Sequence, residues 1–311
     1  MRRVIAMGET IMDILFQHNQ PIAAVPGGSC FNSIISLGRT HTPSLFLGYT
    51  GSDHVGRQTI DFLHDNGVAT DYFVMRQGEK SAISLAYLDQ NGDADYMFYK
   101  VAPSMDGDAP MPTFTAGDVF LFGSFYASCD GTRQYVRRVL QQTKNAHSIV
   151  YYDLNFRKSH QHELEHLRPA LIENFRHSDI VRGSADDFDV MYGLRDARTI
   201  YTQHIAHYCP LFICTSGAGS ITVCTPHHTL QFDVPPVPTV STVGAGDNFN
   251  AGFIYALIRQ GITQQDLPTL DKAAWTGLVQ SGCAFAAQVC QSQHNSISKE
   301  FGEMVAGEKG M

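Results

Sequence analysis

Apolar residues along the chain fall into short β-rich runs, separated by stretches in which they recur every third or fourth position. The runs RVIAMG, SLFLGYT, DVFLFGS, SIVYYDL and LFICTS predict strands. Between the first two, the segment from Ser29 to Leu37 has helical spacing, and VGRQTIDFLHDNG predicts a second helix after SLFLGYT. Such alternation predicts βαβ units around a mostly parallel sheet, an α/β fold. No repeat and no Pro/Gly-rich linker divides the chain, so residues 1–311 are expected to form one domain.

Residues 81–100, SAISLAYLDQNGDADYMFYK, break this pattern with two strand-like runs around Gln90-Asn91-Gly92-Asp93. Asn-Gly is a strong short-range hairpin signal. Together with the run ETIMDILFQ near the N-terminus, the hairpin is expected either to form a small sheet standing off the main one, as a lid over a site would, or to extend the main sheet as an antiparallel edge.

The segment STVGAGDNF, residues 241–249, raises the question of chemistry. Behind Asp247, the residues Phe249, Phe253, Ile254, Leu257 and Ile258 recur at helical spacing and Gly261 supplies a stop, so Asp247 falls in the first turn of a helix. Gly244, Ala245 and Gly246 would leave backbone N–H groups pointing outward at the positive end of that helix, a site for an anion such as phosphate. A carboxylate beside a phosphate has a use if it takes the proton from a hydroxyl that attacks phosphorus, which is the arrangement of a kinase. Read alone, the turn is equally a simple helix start. A second segment, PGGSCFNSIISLG at residues 26–38, repeats the design with Gly27 and Gly28 ahead of a helix whose first turn carries Asn32. The Asn32 amide can donate to and accept from sugar hydroxyls, although alone this too reads as a helix start with a surface Asn.

Taken together, G-G-x-x-x-N (Gly27, Gly28, Asn32) and S-T-V-G-A-G-D (residues 241–247) resemble the two signatures of the ribokinase-like, or PfkB, carbohydrate kinases, with similarity over nearly the whole chain. Further segments resemble the fructokinase-like branch: Gly8-Glu9 with Asp13, the hairpin ending Phe98-Tyr99-Lys100, DLNFR with Arg157, and CTSGAGS with Thr215, Gly217 and Gly219. The resemblance implies a three-layer α/β/α domain with a small β-sheet lid built from about residues 9–26 and 81–101. It further implies an ATP-dependent, cytoplasmic sugar kinase acting with Mg²⁺ on a terminal hydroxyl of a monosaccharide, fructose being the expected one. In that reading Asp247 is the base and the backbone of Gly244, Ala245 and Gly246 stabilises the moving phosphoryl group. Asp13, Gly27, Gly28, Asn32 and Arg157 bind sugar, and Thr215, Gly217 and Gly219 bind nucleotide. A 2-keto-3-deoxygluconate kinase is the alternative, since D-x-N-x-R also occurs in that branch, where the arginine meets a carboxylate. From another class, a non-catalytic sugar-binding regulator on the same fold is supported by departures from the family pattern. Ser241 stands where the family usually has an Asp, which in the monovalent-cation-activated members helps to bind potassium, and this puts potassium activation in doubt. Ser184-Ala185-Asp186-Asp187 stands at the usual N-x-x-E, leaving Asp187 as the acid near magnesium. Lid strands in this family often pair between subunits, so a homodimer is expected.

Composition narrows the partners. With 22 basic and 30 acidic residues, a formal charge of −8 disfavours a nucleic-acid surface. In MRRVIAMGETIMDIL, Gly8, Glu9 and Asp13 interrupt the apolar run before a signal-peptide core or membrane span forms, so no membrane partner is expected. The seven cysteines are scattered without a C-x-x-C pair, and Cys30 reads as a small wall residue near the sugar pocket. HELEH at residues 162–166 matches the H-E-x-x-H zinc pattern in form, but Pro169 is expected to cut its helix short and leave a solvated polar turn. A nicotinamide dehydrogenase would carry G-x-G-x-x-G after the first strand, where Gly8-Glu9 stands instead.

Overall fold

The computed structural model describes residues 2–88 and 94–307. Its main sheet has ten strands among the described residues, running in space from Thr229–Asp233 through Ser220–Cys224, Leu211–Thr215, Ile180–Ser184, Ile149–Asp153, Val119–Gly123 and Val4–Met7 to Ser44–Gly51. Val68–Ala69 and Phe73–Arg76 both pair with Ser44–Gly51. Pairing is parallel from Leu211–Thr215 onward and antiparallel only at the 211–233 edge. The central strands are apolar along nearly their whole length because both faces are covered. Val4 and Ala6 enter one core cluster, with helices Ser29–Arg39, Ala245–Arg259 and Lys272–Cys290 above them, while Ile5 and Met7 enter a second, under helices Asp130–Ala146 and Leu164–His177. Helix, sheet and helix therefore form three layers, and the expected strands and the first two helices stand where their patterns put them.

The hairpin region does not extend the main sheet. Ile11–Gln17, Gln20–Gly27, Ile83–Leu88 and Ala94–Tyr99 form a separate four-stranded sheet in the order 20–27, 11–17, 83–88, 94–99. Its outer pairs are antiparallel and its central pair, 11–17 with 83–88, is parallel. The Asn91-Gly92 turn lies outside the described residues.

One expectation is corrected. The segment around HELEH is a 3₁₀ turn, Lys158–Glu163, running into the helix Leu164–His177, which continues through Pro169. Pro169 is exposed in the second turn, and the helix buries Leu164, Leu167, Leu171 and Phe175 on one face. Burying four such side chains contributes roughly 1.5–3 kcal/mol each, which outweighs the ~3 kcal/mol that an internal proline costs. His162 and His166 lie on different elements, and His166 Nε2 sits 2.9 Å from Asp130 Oδ2 on the surface. All seven cysteines are free thiols.

Candidate active site

Parallel strands direct their carboxyl ends to one side of a sheet, and ligands in open α/β folds bind in the crevice beyond those ends. Here Gly123, Asp153, Ser184 and Thr215 each terminate a strand, and Gly123, Ser184 and Thr215 line one cleft of about 1830 Å³. The small sheet adds Ile11, Asp13 and Phe98 to its wall, and Lys100, next after it, bonds Glu9 at 2.7 Å, tying the small sheet to the end of the first strand.

The helix Ala245–Arg259 points its amino end into this cleft. Gly244 caps it at φ 78°, a left-handed conformation suited to glycine, and lets the chain turn directly into the helix. Among the described residues, the amides of Gly244, Gly246 and Asp247 have no hydrogen-bond partner, whereas Ala245 N donates back to Thr242 O at 3.2 Å. The open amides are thus those of Gly244, Gly246 and Asp247, shifted by the turn from the Gly244, Ala245 and Gly246 set expected above.

Asp247 is 9% exposed and accepts a hydrogen bond from Asn32 Nδ2 at 2.8 Å, so the two signatures, 215 positions apart, meet at one carboxylate. Asn32 is buried, not on the surface, and its Oδ1 is without a partner in the described structure. Burial chiefly, and the charge of Asp153 next, push the Asp247 carboxyl up to about 6, with Asn32 and Arg157 opposing. Asp13, also buried, accepts from Ser84 Oγ at 2.5 Å; burial raises its carboxyl and the Ser84 bond lowers it. Gly27 lies behind Asp13, where a Cβ would come within 2.9 Å of Asp13 Oδ2, and Gly28 at φ 134° starts the Asn32 helix. Cys30 is a buried wall residue whose thiol is raised by burial. Arg157 is exposed in the cleft, and its guanidinium makes no hydrogen bond or ion pair among the described residues, while its carbonyl accepts from His160 N at 2.9 Å. Thr215 and Gly217 also line the cleft; Gly219 does not, its amide donating to Ser216 O at 2.8 Å.

One residue, Arg182, escapes a reading of the motifs; its partner Asp153 opens the DLNFR segment. Asp153, 1% exposed, and Arg182, 6% exposed, are direct neighbours across adjacent parallel strands and form an ion pair at 2.9 Å. Arg182 Nη2 also donates to Thr215 Oγ1 at 2.7 Å, and a Cβ on Gly246 would lie 2.8 Å from the same nitrogen, so the guanidinium sits directly behind the turn. The signal was a lone arginine inside the otherwise apolar strand IVRGS. Beyond the turn, the cleft has an apolar wall from Val237, Val279, Cys283 and Ala287.

Asp187 and Ser184 form a reciprocal helix cap, Ser184 N donating to Asp187 Oδ2 at 2.7 Å. Oδ1 keeps no partner among the described residues, and the side chain lines the cleft. One free carboxylate oxygen suits Mg²⁺ that arrives on phosphates and retains its waters.

Comparison with known proteins identifies the family. A family model described as pfkB family carbohydrate kinase matches residues 1–300. A fructokinase of Klebsiella pneumoniae is 25% identical over 264 residues, 84% of this chain and 86% of that protein. An aminoimidazole riboside kinase of Salmonella typhimurium is 24% identical over 265 residues, 83% of this chain and 82% of that protein. Among solved structures, the Vibrio cholerae O395 fructokinase in its fructose-, ADP- and calcium-ion-bound form matches with a TM-score of 0.84 at 22% identity, covering 96% of each chain.

Proposed function

The chain belongs to the pfkB family of carbohydrate kinases, and from that premise we propose that it transfers the γ-phosphoryl group of ATP to a terminal hydroxyl of fructose. The observation that carries this reading is the buried Asp247 carboxylate at an open helix mouth, with Asn32 beside it and Asp13 in the same cleft. Asp13 and Asn32 hold sugar hydroxyls, with Gly27 and Gly28 letting the backbone pass close behind them. Asp247 accepts the proton as the sugar oxygen attacks phosphorus, and the open amides of Gly244, Gly246 and Asp247 stabilise the charge on the moving group. Thr215 and Gly217 line the nucleotide side, and the apolar wall at Val279 and Cys283 takes the base. Mg²⁺ arriving with ATP would neutralise phosphate charge, and Asp187 would hold one of its waters. A cytoplasmic location is part of this proposal. No helix among the described residues is long and apolar enough to cross a membrane. The test offers the purified protein ATP, Mg²⁺ and a panel of sugars; ADP release with fructose supports the reading, and no ADP with any sugar overturns it in favour of a non-catalytic sugar-binding protein.

The unpaired Arg157 favours a second reading, 2-keto-3-deoxygluconate as acceptor, because a free guanidinium can take a carboxylate through paired hydrogen bonds. If the acceptor is acidic, Arg157→Lys is expected to reduce kcat/KM for it about tenfold or more beyond the loss for fructose, since lysine cannot reproduce the fork. Equal losses on both would leave fructose as the acceptor.

On one face of the small sheet Met97 and Tyr99 are more than half exposed, at 52% and 53%, and Val101 just beyond the sheet is 76% exposed. We propose that a second copy covers this face, giving a homodimer through the lid. Light scattering at micromolar concentration is expected to give twice the 34.3 kDa chain mass; a monomeric mass excludes it.

A further inference from the structure

The turn that holds the open amides is itself held by a residue that neither signature contains. Asn248 is fully buried, and its one amide nitrogen donates to Gly244 O at 2.8 Å and to Asn295 O at 2.8 Å. Its Oδ1 accepts from Ser36 Oγ at 2.5 Å, and Ser36 Oγ accepts from Ile297 N at 3.1 Å. Both amide hydrogens and the carbonyl oxygen of Asn248 are therefore engaged in tying the 241–247 turn, the 295–297 loop and the Asn32 helix together. Two carbonyl oxygens converging from separate segments need a positive partner between them, which is either a cation or a donor with two hydrogens. Here the donor is built in.

The neighbouring oxygens agree. Cys290 O accepts from Val240 N at 2.7 Å and from Ser241 N at 3.2 Å, and Ser241 Oγ accepts from Val243 N at 3.2 Å. At Ser241, where cation-activated members of the family carry a potassium-binding carboxylate, this chain has a neutral hydroxyl turned onto its own backbone. These residues do not fit a monovalent cation.

We propose that Asn248 is a positioning residue that fixes the phosphoryl-holding turn through its amide and makes the protein independent of monovalent cations. The inference rests on the reading of residues 244–247 given above. Its test compares the full chain in potassium chloride and in tetramethylammonium chloride at equal ionic strength. The readouts are melting temperature without ligand, ADP affinity by calorimetry, and turnover with the best sugar of the panel. The wild type is expected to melt within about one degree in the two salts, because an ion bound only by the native state would raise the melting point by several degrees at saturating concentration. ADP affinity and kcat are expected to agree within about twofold. Asn248→Ser is expected to weaken ADP binding and lower kcat by about tenfold or more while the sugar KM holds, since misplaced amides lose transition-state contacts first. A wild-type loss of several degrees, or of more than about fivefold in ADP affinity, on removing potassium overturns the proposal, as does an Asn248→Ser protein that binds ADP like the wild type. Should that variant fail to fold, the wild-type comparison decides. If no sugar releases ADP, the kinase reading fails, while the melting and ADP measurements still decide the strap.

Discussion

Asp247→Asn is expected to lower kcat by about two to four orders of magnitude, the usual contribution of a general base, while making the protein more stable at neutral pH. Both effects come from one carboxyl group. Burial raises Asp247 from the ordinary carboxylate range to about 6. A raised folded-state value means that the native state holds a proton which the unfolded chain has already released. Stability therefore falls as pH rises between about 4 and 6, and the full cost, on the order of 2–3 kcal/mol, persists above that window. Asparagine carries no charge, keeps a carbonyl to accept from Asn32, and removes the cost. Thermal melts at pH 8 are expected to place the variant several degrees above the parent, and melts near pH 4 to bring the two together. In the parent, kcat/KM is expected to rise about tenfold per pH unit below about 6 and to level off above it, as the free enzyme's base ionises. Unchanged turnover in Asp247→Asn, or a flat profile from pH 4.5 to 8, would falsify the assignment of this residue as base.

The fold was legible because its signals are local. Each strand of the parallel sheet is buried on both faces and so appears as one apolar run, and Gly244 and Gly28 mark the two helix mouths where the backbone needs positive φ. Pro169 misled because a proline's penalty is also local, whereas the burial of Leu167, Leu171 and Phe175 that overrides it depends on the sheet beneath. The site was legible only as separate pieces. Asp247 and Asn32 announce themselves through glycine turns, but nothing in the order of residues brings them to 2.8 Å; the crevice beyond the strand ends does that. Arg182 and Asn248 were missed for the same reason. Neither belongs to a turn motif, and their partners, Asp153, Thr215 and Asn295, come from distant strands and loops.

Arg182→Met is expected to cost about 3–5 kcal/mol of stability, the usual price of leaving a buried charge without its partner. Asp153 is 1% exposed and would retain only the Ser29 hydroxyl, at 3.2 Å. The pair is not kept for stability alone, because replacing both members with neutral residues is often close to neutral. Adding Asp153→Asn to Arg182→Met is therefore expected to recover most of the loss in urea unfolding, and the coupling energy from the four proteins measures the interaction. What the arginine provides is electrostatic. Asp187 and Asp247 line a cleft that must admit the phosphates of a nucleotide, with Asp153 buried beside Arg182, and carboxylates alone would repel them. A buried guanidinium between Asp153 and the 244–247 turn offsets that charge from behind, while Asp247, hydrogen-bonded to Asn32 and not to Arg182, keeps its raised value. Without Arg182 the negative charge of Asp153 acts on Asp247 undiluted, so in Arg182→Met the acid limb of kcat/KM should move to higher pH, and in the double variant it should move back. A limb that stays in place in both would show that Arg182 acts on the fold and not on the base.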